Sequence, residues 1–162
     1  MSKTNIGLDL ISNSVSPLEL IGMFTPESIL PPGVGSTIST NPYTGESGHA
    51  RKGIVAATLN NIALLNTLLT ENTSANNQLK IDKIIDAITP LISSLRFVGI
   101  FDFFTPYEWL STDTQPGRCL VAILYLQQNP QNITTETKQF LVQIQDQTKI
   151  KLLSEAIKQI LN

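Results

Sequence analysis

Apolar positions in this chain recur mostly at intervals of three and four, the spacing of one face of an α-helix. The clearest case spans residues 52–69. There Val55, Leu59, Ile62, Leu65 and Leu69 fall on one stripe, with Asn60, Asn61 and Asn66 mostly elsewhere. Burying four or five such side chains is worth about 1.5–3 kcal/mol each. Residues 71–77 are polar and read as a loop, after which Ile81, Ile84, Ile85 and Ile88 form the stripe of a second helix. Pro90 has no amide to give a helix interior and disfavours the α region at Thr89. A break or kink is predicted there, followed by a helix through Leu91, Ile92 and Leu95.

Helix starts of one type punctuate the pattern. Ser16-Pro17-Leu18-Glu19 and Thr105-Pro106-Tyr107-Glu108 each place a hydroxyl at the N-cap, Pro at the first helical position and Glu at the third, a capping box. Thr25-Pro26 and Thr89-Pro90 repeat the first half of that signal, which predicts many short helices instead of a few long ones. Toward the carboxyl end the phase of the apolar positions reverses. Phe140, Leu141 and Ile144 point one way, while Ile150, Leu153, Ile157, Ile160 and Leu161 point roughly the opposite way. Two helices broken near residues 146–148, with Thr148 or Asp146 as the cap, need only one core, and the break is the preferred reading.

Residues 119–126, Cys-Leu-Val-Ala-Ile-Leu-Tyr-Leu, are apolar on every side, as in a central buried helix. A buried strand is the rival assignment for residues 118–128, and periodicity alone does not separate the two. Ile6, Leu8 and Leu10 alternate with Gly7 and Asp9, so a short strand is open there too. One strand makes no sheet. The pattern therefore predicts an all-α fold: one domain, residues 1–162, of about six or seven short helices. Residues 30–53 are left as an extended, Gly/Pro-rich surface loop.

Composition narrows the function classes more than it names one. Charged residues are 15% of the chain, against about 25% in ordinary domains, and the net charge is −2. A strongly basic nucleic-acid or lipid-binding face is thus excluded, and the lysines at 138, 149, 151 and 158 are interleaved with Glu136, Asp146 and Glu155 as a solvated helix face. A surface of Ser, Thr, Asn and Gln repels copies of itself weakly, which favours self-association. With one Cys and one His, no disulfide within the chain and no metal cluster is expected, and no cofactor is called for. No run approaches the roughly 20 apolar residues of a membrane span, nor is there a secretory apolar segment, so a soluble, cytoplasmic protein is expected. The sequons at Asn72 and Asn132 then have no secretory route.

Two stretches carry candidate chemistry. Residues 30–53 hold five of the nine glycines and three of the nine prolines, and lead directly into the clearest helix. Unstructured loops of this length are uncommon unless functional or disordered. Tyr43, His49, Arg51 and Lys52 stand where a helix start presents free amides, a setting for a small phosphate or carboxylate, although no nucleotide-loop triplet is present. Residues 97–109 hold six of the ten aromatics. They read first as a core junction, and alternatively as an apolar pocket or interface formed by Phe101, Phe104, Tyr107 and Trp109. Asp102, if buried among them, needs Arg96 or Arg118 as partner. Cys119 begins an apolar run and reads as a small hydrophobe; a Cys119–His49 nucleophile pair has no motif around either residue. The expectation is a non-enzymatic interaction module that associates with itself. The alternative is a domain, enzymatic or not, that binds a small anion at residues 41–53.

Overall fold

In a computed structural model, the residues described are 37–41, 44–71, 74–110 and 114–162. They begin with an antiparallel hairpin of β1 (Thr37–Thr40) and β2 (Ser47–Arg51), paired Ile38 to Ala50 and Thr40 to Ser47 with an irregularity between. Every described element after it is a helix or 3₁₀ turn. The long helix α1 (Ile54–Thr70) is followed by α2 (Ala75–Ile88), α3 (Ile92–Phe97), α4 (Ile100–Phe103) and α5 (Pro106–Leu110). Then come α6 (Pro116–Gln128), α7 (Thr135–Gln147) and α8 (Lys151–Leu161). Two 3₁₀ turns, Thr89–Leu91 and Pro130–Asn132, link α2 to α3 and α6 to α7.

The all-α reading holds, and residues 118–128, which periodicity left open between helix and strand, are helical. In α6, Leu120, Val121, Ala122, Ile123 and Leu126 are all buried, and α1, α5 and α8 pack around them. The start of α6 is fixed by Gly117. A Cβ there would lie 2.7 Å from both the Ile62 carbonyl oxygen and the Leu65 Cβ, so only glycine lets the two backbones approach this closely. Its amide donates to Asn66 Oδ1 at 2.8 Å, locking α6 to α1.

That contact also corrects the expected face of α1. Its buried residues are Ile54, Ala57, Thr58, Asn61, Ile62, Leu65 and Leu68, whereas Leu59 is 56% exposed. The stripe is rotated toward Gly117, and Asn61 lies inside it. Thr58 is satisfied there by donating to the Ile54 carbonyl at 2.9 Å. The second helix follows expectation: Ile81, Ile84 and Ile88 are buried and Ile85 is half-buried.

Helix limits follow local chemistry. Ser74 caps α2 by accepting from the Asn77 amide at 3.1 Å, and Thr134 caps α7 by accepting from the Thr137 amide at 3.1 Å. The chain does break at Pro90, but Thr89 stays in the α region (φ −50°, ψ −47°), contrary to expectation. The backbone tightens into a 3₁₀ turn instead of leaving helical space. The Thr89 hydroxyl donates back to the Ile85 carbonyl at 2.7 Å, so Thr89 is the C-cap of α2 and not the N-cap of the next element. The predicted break near residues 146–148 is present, since α7 ends at Gln147 and α8 begins at Lys151. The cap differs: Ile150 occupies the N-cap position, and Thr148 instead accepts from the Ile150 amide at 3.2 Å.

The surface loop expected over residues 30–53 contains regular structure. Over residues 37–51 it forms the hairpin, whose turn is organised by Asn41: its side-chain oxygen accepts from the Thr44 amide at 2.9 Å and Gly45 takes a positive φ of 71°. The expected strand over residues 6–10, the Ser16-Pro17 and Thr25-Pro26 helix starts, residues 30–36 and Tyr43 lie outside the described residues. Eight α-helices stand among the described residues. The short α4 and α5 arise because Gly99, at φ 82°, starts a new turn after α3 and the Thr105 capping box starts another.

Candidate functional site

The stretch 97–109 divides its aromatics between inside and outside. Phe97, Phe101 and Trp109 are buried. Phe101 stacks on Tyr125 of α6 with ring centroids 3.9 Å apart, and meets Trp109 at 5.5 Å in a tilted contact. Arg118 lays its guanidinium over the Trp109 ring, 5.4 Å from the centroid. Asn132 donates to the Tyr125 hydroxyl. Burial of that phenol, the dominant influence, pushes its pKa above the ordinary tyrosine value, and the Asn132 hydrogen bond acts against the shift.

Phe103 and Phe104 go the other way. They are 63% and 40% exposed and form an edge-to-face pair at 4.6 Å. Tyr107 is half-buried and meets Phe140 of α7 edge-on at 4.9 Å. Between the two groups stands the capping box predicted at Thr105-Pro106-Tyr107-Glu108. Glu108 Oε2 accepts from the Thr105 amide at 2.7 Å and from its hydroxyl at 2.8 Å, while the Glu108 amide donates back to Thr105 Oγ1 at 3.4 Å. The Thr105 hydroxyl, then the Thr105 amide, hold the Glu108 carboxyl below the ordinary glutamate value.

Of the four residues expected to form a pocket or interface, Phe101 and Trp109 thus belong to the core. Phe104 and the edge of Tyr107 remain at the surface. Phe103, absent from the expected set, is the most exposed of the group. Its signal was available: at about 100° per residue, positions two apart on a helix point nearly opposite ways. With Phe101 inside, Phe103 had to face out. Asp102 is exposed, so the condition for a buried ion pair with Arg96 or Arg118 is not met.

The other candidate set lies at the junction of β2 and α1. His49 and Arg51 are exposed and alternate with the buried Ala50, which puts them on the outward face of β2, and Lys52 follows in the turn. Gly53 occupies the N-cap of α1 with no side-chain cap, and the first turn of that helix has no acidic residue. Cys119 is buried in α6, whereas His49 is exposed on β2. The residue that sequence reasoning missed here is Asn41. It is 4% exposed and its amide group donates to the Phe97 carbonyl at 2.6 Å. Together with Gly48, whose Cβ would fall 2.6 Å from the Phe97 ring, it seats the hairpin on the end of α3. The Asn41-Pro42 dipeptide is a turn signal, but its reach to Phe97, across 56 residues, has no local trace.

No group of three or more metal-ligating side chains occurs among the described residues, and no described helix is long and apolar enough to cross a membrane. No protein-family model, curated protein or solved structure matches this chain.

Proposed function

We propose that this protein is a non-enzymatic interaction module that associates with itself through the aromatic surface of Phe103, Phe104 and Tyr107. One observation carries this reading: two adjacent phenylalanines stand 63% and 40% exposed, while Phe97, Phe101 and Trp109 of the same stretch are buried. Leaving so much aromatic area in water forgoes the largest burial gain that any side chain offers. A second copy, weakly repelled by a chain of net charge −2, would recover it.

Sedimentation or light scattering against protein concentration tests this. The native chain is expected to gain mass with concentration, and Phe103→Ser/Phe104→Ser to stay monomeric, with the melting midpoint that the native chain shows when diluted to monomer. A native chain that stays monomeric at all concentrations, or a double variant that associates like the native chain, overturns the reading.

A second reading rests on the uncapped start of α1 beside His49, Arg51 and Lys52. Under it, phosphate or a small carboxylate raises the melting midpoint by the RT ln(1 + [L]/Kd) of linkage, and Arg51→Ala loses the rise. No change in midpoint with either anion eliminates it.

A further inference from the structure

We infer that the break between α7 and α8 forms a binding site for a small monocarboxylate with an apolar body. The site is separate from the aromatic surface. A half-open cavity of about 320 Å³ lies at the break, near the lower end of the roughly 300–1,000 Å³ typical of ligand pockets. Its walls sort by polarity. Leu110, Cys119, Ile144 and Leu153, all buried, line the apolar part with Pro116 and Ile150, whereas the polar lining groups are the consecutive Gln147, Thr148 and Lys149.

Such a cavity matches a molecule with one apolar end and one polar end. The sign of the polar end follows from charge. Among the described residues, Lys149 is the sole charged residue of the lining. Beside it begins α8, eleven residues long, whose N-cap residue Ile150 makes no side-chain cap bond and gives its own amide to Thr148 Oγ1, and whose first turn has no acidic residue. Helix amides at that end lack partners within the helix and carry a partial positive charge. An anionic head is therefore favoured over a neutral or cationic one, and the small volume calls for a short alkyl chain or a single ring.

Cys119 supplies the readout, because it lines the cavity and is the sole cysteine of the chain. The full-length protein is treated with methyl methanethiosulfonate, and modification of Cys119 is followed by mass, with octanoate as the probe. Octanoate at about ten times its Kd is expected to slow modification roughly tenfold, as occupancy requires. Octylamine is expected to give little protection, and Lys149→Gln to weaken protection by octanoate. A thiol that does not react in the native protein, or whose rate climbs steeply in sub-denaturing urea, shows that reagent enters only by unfolding and overturns the site. Equal rates with and without octanoate also overturn it. So does equal protection by octylamine, or protection unchanged in Lys149→Gln, since either removes the carboxylate from the recognition. Octanoate-dependent shifts of the Thr148, Lys149 and Ile150 amide resonances in Cys119→Ser are expected, and their absence is a further way for the site to fail.

Discussion

Phe101 and Phe103 lie two residues apart in the single turn of α4 and have opposite fates. Phe101 is 5% exposed, stacked on Tyr125 and touching Trp109, while Phe103 is 63% exposed and touches Phe104. The residue type is the same, so hydrophobicity does not distinguish them. Helical phase does, once α6 has fixed which side is inside. An aromatic-rich stretch therefore marks a neighbourhood, and the packing of α6 decides which of its members are structure and which are surface.

The largest test of that division is Phe101→Ala. A buried aromatic truncated to alanine costs about 3–5 kcal/mol, and chemical denaturation is expected to show a loss of that size. A loss under about 1 kcal/mol would put Phe101 on the surface side after all. Next is Gly117→Ala, which forces α6 away from α1 and shifts Tyr125 under Phe101. Overpacking of this kind costs about 1–3 kcal/mol, and an unchanged denaturation midpoint would mean that α6 does not fix the inner group.

Thr105→Val removes the hydroxyl that joins outer and inner groups through the capping box, at a cost of about 1 kcal/mol at neutral pH. Here pH adds a sign. The carboxyl of Glu108 is held below its unfolded value, so its contribution is fully present above the ordinary glutamate range and is lost as pH falls through the lowered value. Carbon-13 titration is expected to place the Glu108 midpoint below the ordinary glutamate value, and Thr105→Val to return it toward that value; coincident midpoints in both proteins would contradict the hydrogen-bonding cause. The smallest effect belongs to Phe103→Ser. Its stability is expected to stay within about 0.5 kcal/mol of native, as for other exposed sites. A larger loss would erase the contrast with Phe101.

Signals carried by a few neighbouring residues were legible in the chain. The reversal of phase between Ile144 and Ile150 gave the break between α7 and α8, and the Thr105–Glu108 spacing gave the capping box, while the all-round apolar run marked residues 119–126 as buried without choosing helix over strand. Features set by distant partners were not. Two overlapping stripes on α1 are both plausible helically, and the close approach of Gly117 selects the one that buries Asn61 and leaves Leu59 out. The hairpin over residues 37–51 exists against Phe97, which no local pattern in its own short strands announces. At Thr89 the rule for residues before proline gave the wrong conformation, because the tighter 3₁₀ turn accommodates the ring and Gln128 Nε2 meets the Thr89 carbonyl at 3.1 Å. The candidate residues show the same division: Phe104 was found by composition, while Phe103 needed the phase.

Trp109 is the sole tryptophan, wedged between the Phe101 ring and the Arg118 guanidinium. The chain therefore carries one built-in optical reporter, located at the boundary where its oily centre gives way to its outer face. Loosening of that boundary alone would register in the indole's emission while the circular dichroism of the long coils stayed constant.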